Sequence, residues 1–415
     1  MGAWWSAMSE KRSAPSAYSV RNHTWIPLTD GCRLAARIWL PDGAERDPVP
    51  AVFEYIPYRK GDLTAARDHA LHGYFAARGY ASVRVDIRGS GDSDGFLDDE
   101  YLAQEQADAV EVIKWLASQP WCTGRVGMIG ISWGGSACLQ VAALAPRELH
   151  AVISVASTDD RYGLDVHFMG GCLNAWDQLS WASTVQAMSA LPPDPLVRGE
   201  DWRQVWLDRL EHAHPVIDRW MLHQRRDAYW KHGSVGEQLG AIRCPVYMVG
   251  GWADAYHDTV LRFLASHPGA CKGLIGPWAH CYPHEGRPGP AIGFLQEATR
   301  WWDHWLKDVP TGIMDEPRLQ AWIQDHAGPA IGYGDRPGRW VAENGWPATS
   351  VSATRYWLGN HTLDAEPGPA TAITHESPQA PPSDRGNWCP GGWQQGATDF
   401  PPEQSEEDAR SATFT

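Results

Sequence analysis

"GMIGISWGGSACLQVAALAP", residues 127–146, decides how this chain is read. It begins inside an apolar run, "RVGMIGI" (125–131), and ends in "SACLQVAALA" (136–145), a segment of good helix formers. Between them stand Gly130, Ser132 and Gly134, the pattern G-x-S-x-G. A serine on so tight a strand-to-helix turn needs small residues two positions to either side. The hydroxyl then stands clear of the sheet edge, where a nucleophile has to be. The pattern occurs a second time, as "GDSDG" (91–95) around Ser93. There Asp92 and Asp94 flank the serine, and their carboxylates would oppose the negative charge that develops in acyl transfer. Acidic "FLDDEY" (96–101) follows in place of an apolar helix. "RGSGDSDG" (88–95) therefore reads as a glycine loop after a strand. It is not G-x-G-x-x-G, and its aspartates do not have calcium-loop spacing. Ser132 is the candidate nucleophile and Ser93 is not.

Working outward, apolar runs of the same kind recur. "AVFEY" (51–55), "ASVRVD" (81–86), "LHAVISVA" (149–156), "CPVYMVGG" (244–251) and "KGLIGPW" (272–278) all read as buried strands. Helical spacing joins Leu102, Gln106, Val110, Ile113 and Ala117, and again Ile292, Leu295, Ala298, Trp302 and Trp305. Strands alternating with helices imply an α/β fold with a mostly parallel sheet covered on both faces. Residues 157–240, rich in Trp, His and Arg, break the alternation and read as an inserted helical cap. The α/β domain is then 1–156 with 241–312. From 316 the texture changes: "PRLQAWIQD" (317–325) and "TRYWLG" (354–359) read as strands of an antiparallel sheet. Residues 377–410, heavy in Pro, Gly, Ser, Gln and acid, read as loop.

Bulk properties narrow the function classes. The 415 residues ask for about two or three structural units. The net charge of −15 argues against a nucleic-acid partner and against a basic membrane-binding face. No apolar run reaches bilayer-spanning length. The start, "MGAWWSAMSEKRSAPSAYSV", lacks the charged and then apolar pattern of a secretory leader, so a cytoplasmic location is expected. The 8 cysteines contain no C-x-x-C pair, which indicates neither a zinc site nor a disulfide framework. The 24 tryptophans read mainly as packing, with some available to wall a pocket.

A serine hydroxyl needs a base at neutral pH. With the nucleophile on a strand-to-helix turn, the partners follow in the order acid, then histidine, each just past a strand. "CPVYMVGGWAD" delivers Asp254 and "KGLIGPWAH" delivers His280. Asp254 would hold the imidazole tautomer and His280 would take the serine proton. Asp254 could equally cap a helix starting near Tyr256, and Asp258 is a rival. His280 and His284 form an H-x-x-x-H pair, but in a proline-containing loop with no third ligand, so no metal and no other cofactor is expected. An oxyanion hole needs two donors. The backbone N–H of Trp133 is one, and Tyr58 in "IPYRKGD" (56–62) is the candidate for the other. Tyr55 is the alternative, although it lies inside the strand.

Taken in order, "IPYRKGD", "VRVDIRGSGDSDG", "GMIGISWGGS", "GGWADAYHDTVLRF" and "GPWAH" resemble the cocaine esterase family. That family includes α-amino acid ester hydrolases and cephalosporin acylases and is related to Xaa-Pro dipeptidyl-peptidases. The resemblance covers about residues 20–410. It implies an α/β-hydrolase domain, a helical cap and a C-terminal β jelly roll, here 316–415 and apparently truncated. It also implies a Ser132–Asp254–His280 triad, with Tyr58 and the Trp133 amide as oxyanion hole. Some relatives recognise a substrate amine through clustered carboxylates, and "STDDRYGLD" offers Asp159, Asp160 and Asp165, which could instead be solvated or capping residues. The expected activity is serine hydrolysis of an ester or amide bond in a small molecule or short peptide, through an acyl-enzyme. The alternatives are an Xaa-Pro dipeptidyl-peptidase, or an inactive remnant with a binding or assembly role.

Overall fold

The computed structural model describes residues 16–374, apart from 329, 331 and 371, together with 405, 409 and 412–415. Two strands, β1 (Tyr18–Pro27) and β2 (Arg33–Pro41), open it as an antiparallel ribbon. The chain then alternates as its hydrophobic periods require: β3 (Val49–Ile56), α1 (Ala65–Ala76), β4 (Ala81–Asp86), α2 (Ala103–Ala117), β5 (Cys122–Ile131), α3 (Trp133–Ala143) and β6 (Leu149–Val155). Here it leaves the sheet. β7 (Phe168–Met169) pairs with β8 (Cys172–Leu173). Five helices come next: α4 (Ala175–Ser189), α5 (Pro195–Arg198), α6 (Trp202–His212), α7 (Val216–Leu222) and α8 (Ala228–Lys231). The sheet resumes with β9 (Val246–Gly251), α9 (His257–Ser266), β10 (Cys271–Gly276), α10 (Phe294–Lys307), β11 (Leu319–Gln324) and β12 (Gly338–Glu343). A short pair, β13 (Trp357–Leu358) and β14 (Leu363–Asp364), stands apart from it.

The 10 sheet strands lie in the order β1-β2-β4-β3-β5-β6-β9-β10-β11-β12. From β4 to β11 every neighbour is parallel, and antiparallel strands finish both ends. A parallel sheet needs cover on both faces, and the side chains divide with period two. Val126, Met128, Val152, Val246 and Met248 point into one core with α2, α3 and α9. Ile129, Ile131, Ile153, Tyr247 and Val249 point into the other, with α1 and α10. Trp301 and Trp302 of α10 are fully buried there. Each such tryptophan withdraws on the order of 200 Å² from water, so α10 is held far more by packing than by helix propensity.

The first two strands after 316 depart from the expected separate antiparallel sheet, while β13, in "TRYWLG", pairs antiparallel with β14 apart from the main sheet. β11 pairs parallel with β10 through Gly273↔Leu319 and Ile275↔Ala321, and β12 then pairs with β11. β11 and β12 thus extend the main sheet. The cause is the edge left by β10, whose six residues are all buried; an unpaired edge there would leave buried N–H and C=O groups without partners. β11 supplies the pairing and turns Leu319 and Ala321 inward. The expected loop at 377–410 lies outside the described residues except for 405 and 409. Among the described residues, no helix is long and apolar enough to cross a membrane.

Candidate active site

Ser132 occupies the turn between β5 and α3 with φ 60 and ψ −123, a left-handed conformation for a residue with a side chain. Its neighbours explain how the turn closes. A Cβ on Gly130 would lie 2.3 Å from the carbonyl carbon of Gly134, and one on Gly134 would lie 2.5 Å from the Ile56 side chain. The Ser132 N–H donates to the carbonyls of Val155 and Ala156, at 3.0 and 3.1 Å, which ties the elbow to the end of β6. Ser132 itself remains partly exposed.

The acid and the histidine come from the same sheet edge. β9 lies beyond β6 from β5, and β10 follows β9. After β9 the chain is fixed by Trp252 N–H to Gly276 O at 2.9 Å and Ala253 N–H to Trp278 O at 3.1 Å. This sets Asp254, whose side chain is fully buried. Its Oδ1 and Oδ2 lie 3.2 and 3.1 Å from Nδ1 of His280. Oδ1 also accepts the Tyr256 N–H at 3.2 Å, which turns the chain ahead of α9; the N-cap of that helix is Tyr256 and carries no side-chain capping bond, so Asp254 does not cap it. The rival Asp258 is more than half exposed and pairs with His257. His284 stacks on Phe294 with ring centres 6.1 Å apart.

Tyr58 lies in the loop after β3, and its hydroxyl faces the Ser132 side chain and the backbone N–H of Trp133. Burial pushes the phenol above its ordinary range, so it keeps its proton and its capacity to donate. The alternative, Tyr55, is fully buried inside β3. Trp181 of α4 sets its ring edge-on to both Tyr58 and Trp133, with centres 6.3 Å away in each case. The inserted helices therefore reach the elbow.

The three candidate aspartates separate. Asp159 is paired with Arg262, and its backbone carbonyl accepts Val235 and Gly236 N–H. Asp160 faces Arg226 at 3.6 Å. Asp165 is buried, accepts the Tyr256 hydroxyl at 3.0 Å on Oδ1, and has an Oδ2 with no hydrogen-bond partner. Burial pushes its carboxyl up to about 6. The Tyr256 ring is 5.8 Å from that of His280, so Asp165 is one tyrosine away from the triad positions.

Sequence reasoning passed over two acids. Glu105, on α2, accepts the Trp133 indole N–H at 2.7 Å and the Tyr101 N–H at 2.9 Å, and burial pushes it up to about 8. Glu100 accepts from His167 at 2.7 Å and from the Trp181 indole. Glu100 lies in "FLDDEY", where an acidic run reads as a solvated loop, and Glu105 lies on an otherwise ordinary amphipathic helix. Their partners come from elements far away in sequence. Among the described residues, the set spaced as metal ligands is Glu54, Asp68 and His72. Arg67 already donates to both carboxylates, and Arg84 lies 3.1 Å from Asp68, so cationic side chains fill the place of a metal.

The family profile described as X-Pro dipeptidyl-peptidase (S15 family) matches residues 30–282, more than half of the chain. Cocaine esterase from Rhodococcus sp. (strain MB1 Bresler) is 27% identical over 383 residues, which cover 82% of this chain and 62% of that protein. An Xaa-Pro dipeptidyl-peptidase from Pediococcus pentosaceus is 24% identical over 331 residues, covering 73% of this chain and 38% of its own length. The chain thus spans less than two thirds of either relative. A solved CocE/NonD family hydrolase from Staphylococcus aureus superposes with a TM-score of 0.67 at 21% identity, over 84% of this chain and 60% of its own. At that identity the likeness concerns the fold, an α/β-hydrolase sheet.

Proposed function

Because this chain belongs to the X-Pro dipeptidyl-peptidase (S15) family, we propose that it is a serine hydrolase that cleaves an ester or amide bond of a small molecule or short peptide. Ser132 Oγ attacks the carbonyl carbon while Nε2 of His280 takes the hydroxyl proton. Asp254, held against Nδ1, keeps that tautomer and stabilises the imidazolium. The Tyr58 hydroxyl and the Trp133 N–H donate to the oxyanion. The imidazolium then protonates the leaving oxygen or nitrogen, which departs and leaves an acyl-Ser132 ester. A water, deprotonated by His280, attacks that ester and regenerates the serine.

The observation that carries this reading is the strained Ser132 elbow after β5, with the Tyr58 hydroxyl facing it. The Asp254–His280 pair stands at the same sheet edge. The test is labelling of the purified chain with a fluorophosphonate. Labelling that disappears in Ser132→Ala is the expected result. A folded wild-type chain that takes no label would end the hydrolase reading and favour a binding or assembly role.

A second reading, a peptidase acting at free N-termini, is favoured by Asp165. It offers a buried carboxylate oxygen without a partner, whereas Asp159 and Asp160 already face arginines. A substrate ammonium could pair there. On this reading N-acetylation of an Xaa-Pro amide lowers kcat/KM by at least about 100-fold. Equal rates with and without the acetyl group would leave the general esterase or acylase reading.

A further inference from the structure

The second glycine pattern, "RGSGDSDG", is left unused by the chemistry above, yet it lies between the oxyanion loop and the inserted helices. We propose that Lys60 and Asp92 are positioning residues for Tyr58, and that the Asp92 carboxylate links the oxyanion donor to the insertion. The proposal rests on the reading of Tyr58 as an oxyanion donor.

Tyr58 is followed by Arg59, whose φ of 56 is left-handed and strained for a residue with a side chain. Such a backbone persists only where its surroundings hold it, and here they do so from two directions. The Lys60 N–H donates to Asp86 Oδ1 at 2.8 Å, and its ammonium donates to Asp92 Oδ2 at 2.7 Å. The two side chains of that ion pair are 1% and 5% exposed. Arg59 grips Asp62 and reaches across to the Pro192 carbonyl at 2.8 Å, just beyond α4.

Asp92 faces the insertion as well. Its Oδ1 accepts the Asp194 N–H at 2.9 Å. Arg198 of α5 donates to the Asp92 carbonyl at 3.2 Å and to Asp94 Oδ1 at 2.5 Å. Arg209 of α6 donates to the carbonyls of Gly91 and Ser93. One carboxylate thus has Lys60 of the oxyanion loop on one oxygen and the insertion's backbone on the other. For stability alone, an apolar pair of the same size serves as well as a buried ion pair. What the ion pair adds is a fixed direction between two loops. If Lys60 moves, the strained turn at Arg59 relaxes and the Tyr58 hydroxyl leaves the narrow range in which a donor meets an oxyanion.

The test is a double-mutant cycle on p-nitrophenyl acetate hydrolysis with Lys60→Met and Tyr58→Phe. Lys60→Met should lower kcat about 10–100-fold, as expected for a misplaced catalytic group, with KM changed by less than about twofold. In the Tyr58→Phe background the same change should cost nothing further. A loss that multiplies with that of Tyr58→Phe, or wild-type kcat in Lys60→Met, overturns the positioning role and leaves Tyr58 untouched. Wild-type kcat in Tyr58→Phe overturns the oxyanion reading and this one with it. If Lys60→Met does not fold, Asp92→Asn, which can still accept the Asp194 N–H, carries the same cycle with the same outcomes.

Discussion

Ser132 and Ser93 sit in the same five-residue pattern and are used in opposite ways. At Ser132 the glycines serve closeness. Gly130 and Gly134 touch each other's backbones, and the left-handed residue is the serine itself. The hydroxyl is lifted off the sheet and faces Tyr58. At Ser93 the glycines serve chain reversal besides closeness, since Gly89, Gly91 and Gly95 have φ of 77, 50 and 85, and a Cβ on Gly91 would lie 2.1 Å from Asp86 Oδ2. There the serine is fully buried and its hydroxyl is consumed by the backbone: Oγ donates to Asp86 O at 2.7 Å and accepts the Ala35 N–H at 2.8 Å. The two sites part at the segments next to the pattern. An apolar helix closes the first turn, whereas the second loop is pinned by Lys60, Arg198 and Arg209. The pattern specifies a tight backbone, and its surroundings specify what the serine does.

The contrast breaks first at Ser132. Ser132→Ala should lower ester turnover by at least about 10⁴-fold while the unfolding midpoint is kept. Residual turnover within about tenfold of wild type would place the nucleophile elsewhere.

Glu105, which holds the Trp133 indole beside the elbow, sharpens the contrast through pH. Burial raises its carboxyl from 4.5 to about 8, so the folded chain binds a proton there that the unfolded chain has lost. Stability from this group is complete below about 4.5 and falls as pH rises towards 8, by on the order of 5 kcal/mol in total. Urea unfolding at pH 5 and at pH 8 should show this fall in the wild type and a much smaller one in Glu105→Gln. Equal falls in the two proteins would mean that Glu105 is already ionised in the folded chain.

The smallest effect is expected at Ser93. Ser93→Ala leaves a buried N–H and a buried carbonyl short of a partner, so about 1–3 kcal/mol of stability should be lost. Measured on folded protein, kcat should stay within about twofold of wild type. A collapse of kcat with stability retained would give the second serine a part in the chemistry.

Much of the fold was legible because its signals are local. The six apolar runs read as strands became β3, β4, β5, β6, β9 and β10, and the two helical periods became α2 and α10. The antiparallel ribbon of β1 and β2 was not read as strands: much of β1 is exposed, although β2, "RLAARIWLP", is as apolar as the runs that were. The sheet that β11 joins was not legible either, because an alternating strand of six residues fits any vacant edge. Among the candidate site residues, Ser132, Asp254, His280 and Tyr58 could be named from turns and strand ends. Glu105, Tyr256 and Trp181 could not, since their contacts bridge separations of 28, 91 and 81 residues.

By itself the sequence determined the elbow, the order of the candidate triad and the alternation that makes a parallel sheet. These depend on neighbours within a few residues, where sterics and hydrophobic period act directly. Tertiary structure alone decided which aspartate keeps a carboxylate oxygen without a partner beside the candidate triad, which tyrosine faces Ser132, and what the second glycine loop holds. A carboxylate's role depends on which cation reaches it. Arg262 reaches Asp159 and Lys60 reaches Asp92 only after the sheet has brought together elements far apart in the chain.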